Sequence, residues 1–210
     1  MSVLADDFFR LAHNDTTGKP LLHSQAMGLG LAAALLGELL GEQKIYLRQG
    51  RLYGWQSGPP SDALTHAVLD QIQAQPSHTE VSTWLKFLAV NAYEDVAVRL
   101  WKAGHLRPVS TRRLLRQTQT TWVPTNLITA ARPRLTLAAV LSRGAAVRWD
   151  QGVLLCLAAA TDLDIHLLRD LPAAAGDHLA RLCGSAPQDV RELAAIPAAA
   201  VAEAVLSYRT

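Results

Sequence analysis

Apolar residues recur at helical spacing along most of the chain. "SVLADDFFRLAH" (2–13) has that spacing, and the turn-forming "NDTTGKP" (14–20) ends it. "LLHSQAMGLGLAAALLGELLGE" (21–42) is apolar on nearly every side, which predicts a helix central to the core. "KIYLRQGRLYGWQ" (44–56) alternates apolar and polar positions about Gln49-Gly50 and predicts a β-hairpin. Gly58, Pro59 and Pro60 form a break, after which Ser61 is placed to cap a helix over "DALTHAVLDQIQAQ". A second break at "PSHT" leads to helical patterns over 80–90 and 92–104, with Gly104 as the stop signal.

The stretch "HLRPVSTRRLLRQTQTTWVPT" (105–125) is the least helical after residue 60. Its β-branched residues and alternation predict extended strands or a hairpin arm. Helical patterns resume in "RPRLTLAAVLSRG", "DQGVLLCLAAATD", "GDHLARLCG" and "QDVRELAAIPAAAVAEAVLSY". No internal repeat or low-complexity linker divides the chain. The expectation is one mainly α domain over residues 1–210 with two short β-hairpins.

Composition supports that class. Half of the residues are hydrophobic but only 6% are aromatic, and the abundance of alanine and leucine favours packed helices over a β-sandwich. Mean hydropathy is slightly positive, yet the richest run, residues 27–41, carries Glu38 and falls short of the roughly 20 apolar residues of a spanning helix. Acidic residues near the start oppose a secretory signal, and Cys156 and Cys183 in Leu/Ala-rich patterns read as small buried hydrophobes. A cytoplasmic setting is expected.

Charge changes the picture most. From Val96 to Trp149 there are ten basic residues and no acidic one; the other ten bases share the rest of the chain with all eighteen acids. A segment of +10 therefore sits within a protein of +2, and such a region attracts phosphate headgroups or nucleic acid. Arg112, Arg113 and Arg116 have no acid within fifteen residues, and a guanidinium presents a planar fork suited to phosphate oxygens. Trp122, among threonines and beside Val123 and Pro124, suggests either a side chain folded onto the domain or an indole exposed to a membrane interface.

Enzyme chemistry finds no support. The histidines show no HxxxH or HExxH pairing, and no GxSxG elbow, phosphate-binding Gly-rich loop or dinucleotide fingerprint is present. "GLGLAAALLG" (28–37) follows no strand and reads as helix packing. Asp162, Asp164 and His166 in "TDLDIH" point to different helix faces, so they read as a solvated helix end and not as a metal site. No metal and no cofactor is expected.

In order along the chain, "FFRLAHNDTTGKPL", "GLAAALLGELLGEQKIYL", "AVRLWKAGHLRP" and "QGVLLCLAAATDLDIHLL" resemble the Golgi phosphoprotein 3 family, specifically its bacterial branch. The resemblance implies a helical fold around a central four-helix bundle with a protruding β-hairpin. It also implies a peripheral membrane adaptor without catalytic activity: eukaryotic members bind phosphatidylinositol 4-phosphate and hold glycosyltransferases. Their hairpin enters the bilayer and mediates oligomer contacts; here it falls at about residues 114–125. The relatives' pocket tryptophan falls at His23, their arginine on the same helix at Ala32, and their later pair of arginines at Val90 and Tyr93. The basic fork for a monophosphate is thus replaced, and a broader attraction to anionic lipid is implied. Expected headgroup contacts are Arg112, Arg113, Arg116 and His23, with Trp122 and Val123 inserting. Expected partners are an anionic phospholipid surface, a protein cargo and a second copy of the chain. A nucleic-acid-binding protein with a basic β-arm ranks second, and an interaction scaffold without a polyanion partner third.

Overall fold

A computed structural model describes residues 3–54, 58–112, 118–144 and 146–207. Helices run at Leu4–Leu11 (α1), Ser24–Gly41 (α2), Ala63–Ala74 (α3), Val81–Ala89 (α4) and Ala92–Lys102 (α5). They continue at Leu127–Arg143 (α6), Trp149–Ala160 (α7), Asp164–Leu168 (α8), Ala174–Ser185 (α9) and Gln188–Ser207 (α10). The strands are Ile45–Arg48 (β1), Arg51–Gly54 (β2), Leu106–Arg112 (β3) and Thr118–Pro124 (β4), paired as two antiparallel hairpins. This is the mainly α architecture with short hairpins that the pattern predicts.

α2 runs through the middle. Almost every side chain from Ala26 to Leu40 is buried, as a helix apolar on all sides requires. It packs most extensively against α4, α1, α10 and α7, with α5 and α3 completing the ring. By length and composition α2 could cross a membrane, which the 27–41 run alone did not suggest. Its surface is instead covered by the other helices of the domain. Two glycines allow the close packing. A Cβ on Gly28 would stand 2.6 Å from the carbonyl oxygen of Ala89 in α4, and one on Gly30 would stand 2.2 Å from the Phe8 ring of α1. The "GLG" motif is therefore a seat for neighbouring helices, as read from the sequence.

Local chemistry fixes the boundaries. Gln49 and Gly50 both adopt positive φ, the two-residue turn that suits a right-twisted hairpin, and Tyr46 and Tyr53 stack across β1–β2 at 5.0 Å. The Gly50 N–H donates to Glu192 of α10 at 2.9 Å, tying the turn to the body. α3 is capped by Asp62 and not by Ser61: the Asp62 carboxylate accepts from the N–H groups of Leu64 and Thr65 at 3.0 and 3.2 Å. Ser61 instead donates its hydroxyl and its N–H to Glu42. α6 begins five residues before the predicted Arg132, because Asn126 accepts from the N–H groups of Ile128 and Thr129 and caps an earlier start. Pro133 then lies inside the helix, not at its first turn.

The second hairpin occupies the 105–125 stretch that the pattern predicts as extended, and starts earlier than the 114–125 that the resemblance implies. β3 begins at Leu106, so the arm spans 106–124, and residues 113–117 between its strands lie outside the described ones. Its base packs on α5, where Leu106 and Trp122 are buried, whereas Ser110 and Thr120 farther along are exposed.

The Gly30–Phe8 contact gives a measurable expectation. Gly30→Ala forces the ring aside and costs about 1–3 kcal/mol, read as a fall in the urea midpoint. A Gly30→Ala/Phe8→Leu double variant recovers part of that loss; simple addition of the two single losses would refute the direct clash.

Candidate functional site

The ten cations of the acid-free segment do not share one environment. Arg99, on α5, points inward with its side chain only 12% exposed. Its Nε donates to Asp6 at 2.8 Å, and its two terminal nitrogens grip both oxygens of Glu38 at 3.0 and 3.1 Å. One of those nitrogens also donates to Asp62 at 2.9 Å. One guanidinium thereby joins α1, α2, the cap of α3, and α5. Glu38 additionally accepts from the N–H of Ala5 at 2.8 Å.

Burial pushes the carboxyls of Asp6 and Glu38 above the usual carboxylate range, and the nearby Arg99 draws them back only part of the way. Asp62 is less buried; although its partial burial acts the other way, the N–H of Thr65 and the Arg99 guanidinium hold it below that range. The carboxylates hold Arg99 in its charged form against its own desolvation. This cluster forms part of the wall of an open cleft of about 1000 Å3 between α1, α6 and the start of α7. Its chemistry is ion pairing, and it removes Arg99 from the surface charge that the sequence reading had assigned to it.

Two further arginines are neutralised by acids from outside the segment or at its edge. Arg134 donates to Asp15 at 2.7 Å, and Arg148 pairs with Asp150. Lys102, Arg107, Arg132 and Arg143 are exposed and make no ion pair among the described residues. Arg112 closes β3, with its side chain outside the described part, and Arg113 and Arg116 lie wholly outside it.

Trp122 is a correction. It is 5% exposed, opposite Pro108 across the strand pair and 6.3 Å from the ring of Trp101. Gly18 lies so close to its backbone that a Cβ there would stand 2.1 Å from the Trp122 carbonyl oxygen. Such a side chain fixes the hairpin base to the body and is not available to a bilayer. Val123 is half-buried beside it, opposite Arg107, and offers no exposed apolar tip either. Trp101, 48% exposed, is the outer member of the aromatic pair.

His23 is exposed and caps α2, its Nδ1 accepting from the N–H of Gln25 at 3.5 Å. The other positions that the resemblance pointed to scatter: Ala32 is fully buried in the core, Val90 is exposed, and Tyr93 is half-buried against Phe9 and His13. They do not form a basic pocket. No group of three His, Cys, Asp or Glu side chains able to hold a metal occurs among the described residues, and Asp162, Asp164 and His166 do not converge.

The order of helices, the arm between α5 and α6 and the buried central helix now stand beside one comparison. The model of the Golgi phosphoprotein 3 (GPP34) family matches residues 4–207, nearly the whole chain. The chain belongs to the Golgi phosphoprotein 3 family. No curated protein matches it. For this Golgi phosphoprotein 3 family member, the legible part of the site was the acid-free segment. The missed part was Arg99, although an isolated Glu38 inside an apolar helix was already a signal that a buried cation must meet it.

Removing that cation is the direct check. Arg99→Met leaves three carboxylates facing one another and costs about 3–5 kcal/mol at neutral pH. Without the guanidinium, Asp6 and Glu38 titrate higher in the folded than in the unfolded state, so the folded state binds more protons. The variant's stability then falls as pH rises above the ordinary carboxylate value. Urea unfolding should show a smaller gap from wild type at about pH 5 than at about pH 7.5; a constant gap would exclude the ionised cluster as its cause.

His13 has the opposite sign. Burial pushes its imidazole down to about 4, against an ordinary value of 6.5. Its Nδ1 lies 2.6 Å from the Phe9 carbonyl oxygen, and its Nε2 has no hydrogen-bond partner among the described residues. The unfolded chain takes up the proton first, so stability is full above pH 6.5 and declines by up to about 3 kcal/mol as pH falls toward 4. His13→Phe should flatten that part of the pH–stability curve relative to wild type; parallel curves would show that His13 does not titrate there.

Proposed function

We propose that this protein is a non-enzymatic peripheral adaptor that rests on an anionic membrane surface at its cytoplasmic face and holds a protein cargo there. Membership of the Golgi phosphoprotein 3 family supports the adaptor reading. The observation that carries the lipid reading is the set of exposed cations Lys102, Arg107, Arg132 and Arg143, unpaired among the described residues, in a segment that contains no carboxylate. Arg112, Arg113 and Arg116 extend that segment at the hairpin and belong to the same attraction. Each basic residue near an anionic surface adds about 1 kcal/mol, so a few of them suffice for reversible attachment. The positions of His23, Ala32, Val90 and Tyr93 supply no guanidinium, so attraction follows surface charge and not one phosphoinositide. Association of copies through the hairpin edge is compatible with this reading.

Cosedimentation with phosphatidylcholine vesicles, with and without phosphatidylglycerol, tests it against random duplex DNA at matched salt. Binding should require the anionic lipid, weaken as salt rises, and exceed binding to DNA. A shift of DNA without sedimentation on anionic vesicles would favour a nucleic-acid-binding protein, and failure to bind either would favour a scaffold.

A further inference from the structure

α6 carries two stripes. Ala130, Pro133, Leu137, Val140 and Leu141 are buried, and the helix packs on α1, α8 and α9. On the opposite side, at helical spacing, stand Ile128, Arg132, Leu135, Ala139 and Arg143. Ile128 is 81% and Leu135 57% exposed, with Leu127 at the start of the helix 56% exposed. Solvent-facing positions on a globular helix are ordinarily polar, so an outward apolar stripe calls for an occupant.

Charge selects that occupant. α6 contains Arg132, Arg134 and Arg143 and no carboxylate. Arg134 is engaged by Asp15, whereas Arg132 and Arg143, on the outward side, have no ion pair among the described residues. Together with Ile128, Leu135 and Val140 they line a shallow depression of about 520 Å3. A second copy seated on this face would bring arginines and no acid, so the face does not complement itself. An anionic partner does complement it. A lipid surface also needs no matching groove, because a helix lying in the interface plane buries its apolar stripe among acyl chains and sets its cations among headgroups.

We propose that the outward stripe of α6 is the face that meets the anionic membrane, with Ile128 and Leu135 entering the headgroup–acyl boundary and Arg132 and Arg143 meeting lipid phosphates. This assigns to α6 the insertion that the sequence reading gave to Trp122. It rests on the lipid-surface reading above and names the contact that this reading leaves open.

The test uses the full chain and vesicles of phosphatidylcholine with phosphatidylglycerol. Arg132→Gln/Arg143→Gln should weaken binding roughly 25-fold, about fivefold for each charge. Ile128→Ser/Leu135→Ser should weaken it at least about tenfold, and that loss should persist in high salt, where the electrostatic part is screened. Lys102→Gln/Arg107→Gln is the comparison, with a smaller loss expected, and thermal unfolding confirms that each variant is folded. If wild type binds and both α6 variants bind equally well, the α6 assignment is overturned while the lipid reading stands. If wild type does not bind the vesicles, both fall. If wild type is a dimer in solution and the Ile128→Ser/Leu135→Ser variant is a monomer with unchanged vesicle binding, the occupant is a second copy and the assignment is again overturned.

Discussion

A charge cannot be left alone in the interior, and the pairing of Arg99 with Asp6, Glu38 and Asp62 is the constraint around which the helices are arranged. Each of four elements contributes one member. α2 can be apolar on every side except at Glu38 because α5 supplies the matching guanidinium, and α1 supplies both Asp6 and the Ala5 N–H. Burying these groups is costly, so the cluster adds little net stability compared with an apolar replacement. What it does is fix register. Sliding α5 by one turn along α2 would separate the guanidinium from all three carboxylates, leaving several uncompensated charges instead of one satisfied network.

The same cluster reorganises the surface field. A stretch with ten bases and no acid reads as a uniform basic band along the sequence. In three dimensions Arg99 is internal, and Arg134 and Arg148 are matched by Asp15 and Asp150. Among the described residues, the exposed cations of the segment that make no ion pair are on the end of α5, at the start of β3 and on the outer side of α6. The acids that meet Arg99 and Arg134 (Asp6, Glu38, Asp62 and Asp15) come from distant earlier segments, whereas Asp150 stands two residues from Arg148 at the edge of the segment. Net charge per segment overstates the free positive charge for that reason.

Trp122 shows how packing settles an ambiguity in sequence. Its threonine- and proline-rich surroundings fit an exposed loop and a hairpin base equally well. Trp101, on α5, meets its ring from 21 residues away in sequence, and Gly18, in the turn after α1, packs on its backbone from 104 residues away. On α6, by contrast, Leu127, Ile128 and Leu135 are exposed, and its outward stripe lies opposite a buried one on a single helix. A pattern search for one apolar face finds the buried stripe first, because both stripes have the same helical period.

The helices, the Gln49-Gly50 hairpin, the all-round burial of α2 and the family were fixed by local chemistry: hydrophobic period, turn residues and segment order are all written within a few residues of one another. So was the shortage of acids in the middle of the chain. Which arginines face water, which residue caps α3, and which apolar residues stay outside were decided only by the tertiary structure. Those outcomes depend on partners brought together across tens of residues, Asp62 with Arg99, Asp15 with Arg134 and Gly18 with Trp122, and no local pattern encodes such a meeting.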